Sequence, residues 1–130
     1  MNKETHANVL AALHGEAFAY ARYLAFAKAA REAGDLDLAA TFDGIAEVEL
    51  REHFEELGDL VQLAGADADN LECAIHDESE EVETTYRLFA EQARAAGEDE
   101  VAARFDEIRD DELEHLKTLE SALERREVPA

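Results

Sequence analysis

From Val101 onward the apolar side chains recur in alternating steps of four and three, through Phe105, Ile108, Leu119 and Ala122, and Glu112 and His115 fall in the same series. This is the period of one helix face. Leu38, Phe42, Ile45 and Glu49 repeat the spacing in an earlier stretch. Both stripes therefore run straight into a carboxylate. A glutamate on the apolar face of a helix is costly unless something pairs with it, so the pattern marks a buried site.

Helix is the default elsewhere too, because Pro129 is the only proline and Ala, Leu, Glu and Arg dominate. Gly34, Gly65 and Gly97 lie 31 and 32 residues apart, each after a periodic stretch and before an acidic one, as helix-terminating glycines do. The spacing predicts four helices, near 6–33, 36–64, 70–96 and 99–126, within one domain spanning 1–130. Each is roughly 40 Å long at about 1.5 Å per residue.

The chain also repeats itself. Tyr23-Leu-Ala-Phe-Ala-Lys-Ala-Ala-Arg-Glu-Ala-Gly34 matches the stretch from Tyr86 to Gly97 at an offset of 63, and the register continues through Phe42/Phe105, Ile45/Ile108 and Glu49/Glu112. Two helical hairpins are variations on one unit. At the flanks the offset drops to 62, pairing His14 with His76, Glu16 with Glu78 and His53 with His115. A one-residue slip inside a helix is what a π-bulge absorbs, and such bulges favour functional sites.

Charge narrows the chemistry. A formal net charge of −21, from 33 acidic and 12 basic residues, repels phosphate backbones and anionic lipid, so neither nucleic acid nor a membrane is an expected partner. The same surplus suits cations. The hydrophobic share of 47% is enough to bury a core, so the acids describe a solvated surface on a folded chain. Cys73 is the lone cysteine, which leaves no disulfide or Cys-x-x-Cys pair within the chain, and it reads as a small packing residue. The polar start and the lack of a long apolar run point to a soluble, cytoplasmic protein.

Each hairpin supplies one glutamate from its first helix, Glu16 or Glu78, and a glutamate–histidine pair from its second, Glu112-x-x-His115 or the segment Glu49-Leu50-Arg51-Glu52-His53. Residues three or four apart share a helix face, so both members of a pair reach one metal. Two single glutamates plus two such pairs are the ligand set of a dimetal centre in a four-helix bundle. Two iron ions, or manganese in their place, need hard anionic oxygens for the higher charge state, and zinc suits this set less well. His6, His14 and His76 read as exposed; His14 and His76 precede a ligand glutamate by two residues and so face away from it.

These residues resemble the rubrerythrins of the ferritin-like superfamily over nearly the whole chain. Asn8-Val-Leu-Ala-Ala-Leu-His-Gly-Glu16 with Arg22-Tyr23 is similar to the family's first helix, and Asn70-Leu71 through Glu78-x-x-Glu81, Tyr86 and Gly97 to its third. Glu112-x-x-His115 matches the fourth. The resemblance implies an all-α, ferritin-like four-helix bundle with Glu16, Glu49, Glu78, Glu81, Glu112 and His115 as metal ligands. It also implies that Tyr23 and Tyr86 hydrogen-bond ligand carboxylates. In the second helix the family pattern puts the histidine three residues after Glu49, where this chain has Glu52. Either Glu52 replaces the imidazole or a local bulge brings in His53; the alignment of Leu57, Leu60 and Val61 with Leu119, Ala122 and Leu123 favours His53.

What the family does becomes an expectation here: a nonhaem diiron peroxidase reducing hydrogen peroxide, with Glu81, Tyr23 and Tyr86 assisting. A lone cysteine cannot form the four-cysteine rubredoxin site many members carry, so an external, rubredoxin-like donor is expected. A ferroxidase that oxidises Fe²⁺ with dioxygen is the alternative, and a metal-free acidic scaffold the third reading. Ferritin-like bundles run their second and third helices parallel, which needs a crossover about as long as the bundle, whereas the six residues from Gly65 to Asn70 reach at most roughly 20 Å. A domain-swapped homodimer is therefore expected.

Overall fold

Four helices make up residues 1–127, the part of the chain described by the computed structural model: Lys3–Glu32, residues 36–61, residues 67–95 and Asp99–Glu127. The described residues contain no strand, as an all-α, ferritin-like chain requires. The first helix starts earlier than its apolar pattern because Asn2 caps it, accepting the Thr5 backbone N–H at 2.8 Å. Asp35 caps the second in the same way, through the Leu38 N–H at 3.0 Å.

The predicted turns at Gly34 and Gly97 are present, with φ of 85° and 77°. Around each, the next residue's N–H reaches back five residues, from Asp35 to the Ala30 carbonyl and from Glu98 to that of Ala93, both at 2.9 Å. The glycine N–H bonds three residues back. This pair of bonds closes a helix with a left-handed residue, which glycine adopts without a Cβ penalty. Gly65 does not serve this way. The second helix stops at Val61 rather than 64 because Gln62 takes the left-handed conformation, with φ of 51°. The third helix begins at Asp67 rather than 70. Just ahead of it, the Asn70 side chain accepts the Gly65 N–H at 2.7 Å and donates to the Gly65 carbonyl at 3.0 Å.

The chain divides into two compact hairpins, one over Met1–Ala64 and one from Gly65 onward. In the first, Val9, Leu13, Ala27, Ala30, Ala39 and Ala46 are buried; in the second, Val82, Ala90, Ala93, Ala102 and Leu116. Alanines let paired helices approach closely. Each hairpin repeats an aromatic trio beside this seam, Tyr23, Phe26 and Phe42 or Tyr86, Phe89 and Phe105, with ring centroids 5.4–6.4 Å apart. Each also repeats an ion pair between its helices, Arg31 with Asp43 and Arg94 with Asp106.

The large apolar residues behave otherwise. Ile45 and Val101, which the periodicity places in a core, are 40% and 44% exposed, and Phe18 reaches 61%. A two-helix hairpin has one interface, and alanine fills it; the wider side chains lie on flanks that a hairpin alone cannot cover.

Two π turns interrupt the helices, at Glu49–Phe54 and at Glu81–Thr85. They fall where the repeat offset changes. Between Glu16/Glu78 and Tyr23/Tyr86 the second hairpin gains one residue, and between Glu49/Glu112 and His53/His115 the first hairpin gains one. Each π turn absorbs its insertion, as the slipping register predicts.

Replacing Gly34 or Gly97 by Ala should cost about 1 kcal/mol of folding stability. No atom lies within 4 Å of a Cβ built at either position, so the cost is one of backbone conformation. Asn, which tolerates φ > 0, should recover most of it, and chemical denaturation of the metal-free protein measures both.

Candidate metal centre

The π turn in the second helix decides which side chain meets the glutamates of the first hairpin. Widening the helix carries His53 round to the face of Glu49, so its Nδ1 lies 3.6 Å from Glu49 Oε1 and 3.4 Å from Glu16 Oε2. Glu52 is exposed and stands outside this group. In the second hairpin the fourth helix is regular, and the three-residue step suffices: His115 Nδ1 is 3.2 Å from Glu112 Oε2 and 3.9 Å from Glu78 Oε2. Each trio offers one ligand atom per residue, all within 4.8 Å of one another. Both trios combine two half-buried carboxylates with one exposed imidazole.

Crowding of like charges governs the electrostatics. Glu78 is pushed up to about 7, through the proton it shares with Glu112, its loss of hydration and the charges of Glu112 and Glu81. Glu112 is held low by the same hydrogen bond and by His115. The two carboxyls therefore titrate as a coupled pair, with Glu78 the more readily protonated. Glu49 is raised likewise by a hydrogen bond to Glu16 and by burial. In His53 lost hydration opposes the charged form, yet Glu16 and Glu49 outweigh it and raise the imidazole; Glu112 does the same to His115.

Two carboxylate oxygens, Glu16 Oε2 and Glu78 Oε2, are buried without a hydrogen-bond partner. An unpaired buried acceptor is costly, and a cation bound there would satisfy it and replace the shared proton. Hard oxygen donors with one imidazole per trio fit iron or manganese better than zinc. Each trio thus fits one such ion.

Glu81 lies outside the second trio but near it, raised first by burial and then by the charge of Glu112. The Tyr86 hydroxyl is raised by burial and by Glu81, Glu112 and Glu78, so it stays protonated beside them. Tyr23 stacks on Phe42 with centroids 6.1 Å apart. Neither phenol hydrogen-bonds a carboxylate of its own hairpin among the described residues. His6, His14 and His76 are exposed, and so is Cys73, which corrects its reading as a packing residue. The periodicity gave no warning of Arg109, whose Nε donates to the Val82 carbonyl at 2.6 Å. Its signal was a break in the repeat, where the first hairpin has Ala46.

Comparison with known proteins now bears on this geometry. The rubrerythrin family model matches residues 7–123. The chain belongs to the rubrerythrin family. A rubrerythrin from Porphyromonas gingivalis is 34% identical over 125 residues, covering 86% of this chain and 62% of its own length. The chain thus spans less than two thirds of that relative. Membership places the two trios in a family of ferritin-like diiron proteins, which agrees with their donor chemistry.

The shared proton predicts a pH dependence. In the metal-free protein Glu78 is pushed up to about 7 from the usual 4.5 of a glutamate, so its contribution to stability is complete below about 4.5 and is lost as pH rises through 7. Denaturation midpoints of the metal-free protein should fall between pH 5 and pH 8, and fall less for Glu78→Gln. Equal slopes for the two proteins would mean that no proton is shared.

Proposed function

We propose that this rubrerythrin-family protein is a nonhaem diiron peroxidase that reduces hydrogen peroxide to water. Glu16, Glu49, His53, Glu78, Glu81, Glu112 and His115 are the proposed metal ligands. The observation that carries the reading is the recurrence, in both hairpins, of two crowded carboxylates and an imidazole with a buried carboxylate oxygen left unpaired. When bound, two ferrous ions supply the two electrons that cleave the O–O bond, and two protons complete two waters.

The side chains divide the remaining work. The four trio glutamates would balance the charge of bound cations, which in turn would remove the need for a proton between each pair. His53 and His115 would each supply the one imidazole of their trio. Tyr86, still protonated, offers a hydrogen bond toward Glu81, Glu78 and Glu112. Cys73 alone cannot carry electrons as a four-cysteine iron site does, so the proposed reductant is a rubredoxin-like site outside these residues. A cytoplasmic setting goes with this chemistry, and no described helix is long and apolar enough to cross a membrane.

The bundle is proposed to form by exchange between two chains. Only residues 62–66 join the second and third helices, a span of at most roughly 20 Å. A crossover between parallel helices of this length would need about 40 Å. In a swapped homodimer each first hairpin meets the second hairpin of the other chain, and every diiron site draws ligands from both. Light scattering that finds a monomer holding its full metal complement would overturn this assembly.

The net charge of −21 favours one other reading, a ferroxidase that gathers Fe²⁺ and oxidises it with dioxygen. Stopped-flow oxidation of the anaerobically loaded protein separates the two: the peroxidase oxidises faster with peroxide and holds two irons per site, whereas the ferroxidase prefers dioxygen and retains more. Glu49→Ala and Glu112→Ala should each lose both metal and peroxide reduction. Unchanged turnover in either variant would sink the assignment.

A further inference from the structure

The π turn at Glu81–Thr85 is the only one in the second hairpin among the described residues, and it carries Glu81, an extra acid near that hairpin's trio. Its backbone is widened, with the Tyr86 N–H bonded to the Glu81 carbonyl five residues back. Such a change of register leaves a carbonyl nearby short of a helical donor, and an unpaired carbonyl away from water needs a partner. Here a side chain from the other helix of the hairpin donates to a carbonyl inside the turn. Arg109 is part-buried, and its Nε donates to the carbonyl of Val82, itself 8% exposed, at 2.6 Å.

The internal repeat supplies a control. At the offset of 63 the counterpart of Arg109 is Ala46, which is 1% exposed and can donate nothing from its side chain. The first helix of that hairpin runs as unbroken α-helix from Lys3 to Glu32, and the counterpart of Glu81 at the offset of 62 is Ala19. Arginine, π turn and extra glutamate thus occur together in one hairpin and are all missing from the corresponding places in the other. Arg109 also stands three residues before Glu112, so brace and trio share one helix face.

We propose that Arg109 is a positioning residue: its guanidinium clamps the π turn at Val82 and so fixes Glu81 beside Glu78 and Glu112. The ligand role of Glu81 rests on the diiron reading; the clamp itself does not. A hydrogen bond from a charged donor to a part-buried carbonyl is one of the stronger kinds, so its loss should be visible locally.

The clamp is tested first without metal. Hydrogen exchange of the metal-free protein should quicken at least about tenfold over residues 81–87 in Arg109→Ala. It should return toward wild type in Arg109→Lys, whose ammonium still donates, and residues 18–24 of the first hairpin should not change. Unaltered exchange at 81–87, or equal acceleration in both hairpins, overturns the clamp. The link to Glu81 is tested with Co²⁺, whose visible bands report coordination. Arg109→Ala should weaken the binding of one of the two cobalt ions and alter its spectrum, and should do neither when added to Glu81→Ala. An equal effect with Glu81 already removed overturns the positioning role. A wild-type protein that takes up no cobalt overturns the diiron reading instead, and the exchange result then judges the clamp alone.

Discussion

Two carboxylates near enough to share a proton cannot both ionise cheaply in a half-buried setting, and this constraint occurs once in each hairpin, at Glu16 with Glu49 and at Glu78 with Glu112. Arginines do not relieve it. Arg31 is spent on Asp43, Arg94 on Asp106 and Arg51 on Glu47, all outside the trios, while Arg109 is spent on a backbone carbonyl. The basic neighbours left to the crowded pairs are His53 and His115, which are also metal ligands by type. What relieves the crowding is either a shared proton or a multivalent cation, and the cation satisfies two acceptor oxygens that the proton leaves unpaired. The acid pairs are thus unfavourable for the folded chain and favourable for metal, which is the compromise expected where a site is built for binding rather than for stability.

The same compromise runs through the packing. Seams lined by Ala27, Ala39, Ala46, Ala90 and Ala102 bring paired helices close but bury little apolar area per residue. Phenylalanines and leucines that would contribute more lie on the hairpin flanks, where Phe18, Leu60 and Phe89 remain exposed. Each hairpin therefore leaves two needs unmet: a crowded acid pair with a buried oxygen unpaired, and an apolar surface it cannot cover. A homodimer by exchange, as proposed, would answer both needs with one association.

Much of this was legible in the sequence, and the reasons differ from residue to residue. The hairpin turns were readable because Gly34 and Gly97 do what glycine does best. The end of the second helix was not, since Gln62 is not a residue whose type announces a left-handed backbone. Periodicity located Glu49 and Glu112 but misjudged Ile45 and Val101, because a helical stripe reports which side is apolar and not whether anything covers it. The choice between Glu52 and His53 turned on a one-residue slip, which spacing alone leaves open and the π turn resolves geometrically. Arg109 escaped because its partner is a backbone carbonyl, and side-chain patterns are blind to backbone demand.

The two hairpins repeat one sequence plan yet carry their insertions in opposite helices, the first hairpin in its second helix and the second hairpin in its first. The consequences are not equivalent. In the first hairpin the added residue restores a histidine to the face it would otherwise miss, so the π turn maintains the trio. In the second the trio needs no help, because His115 already follows Glu112 at helical spacing; the added residue instead widens the backbone around Glu81, an acid with no counterpart in the first hairpin. One insertion preserves a trio and the other accompanies an added acid beside one. A nearly symmetric pair of repeats thereby offers unequal surroundings to two metals, and the inequality follows from where the backbone was lengthened as much as from which side chains were changed.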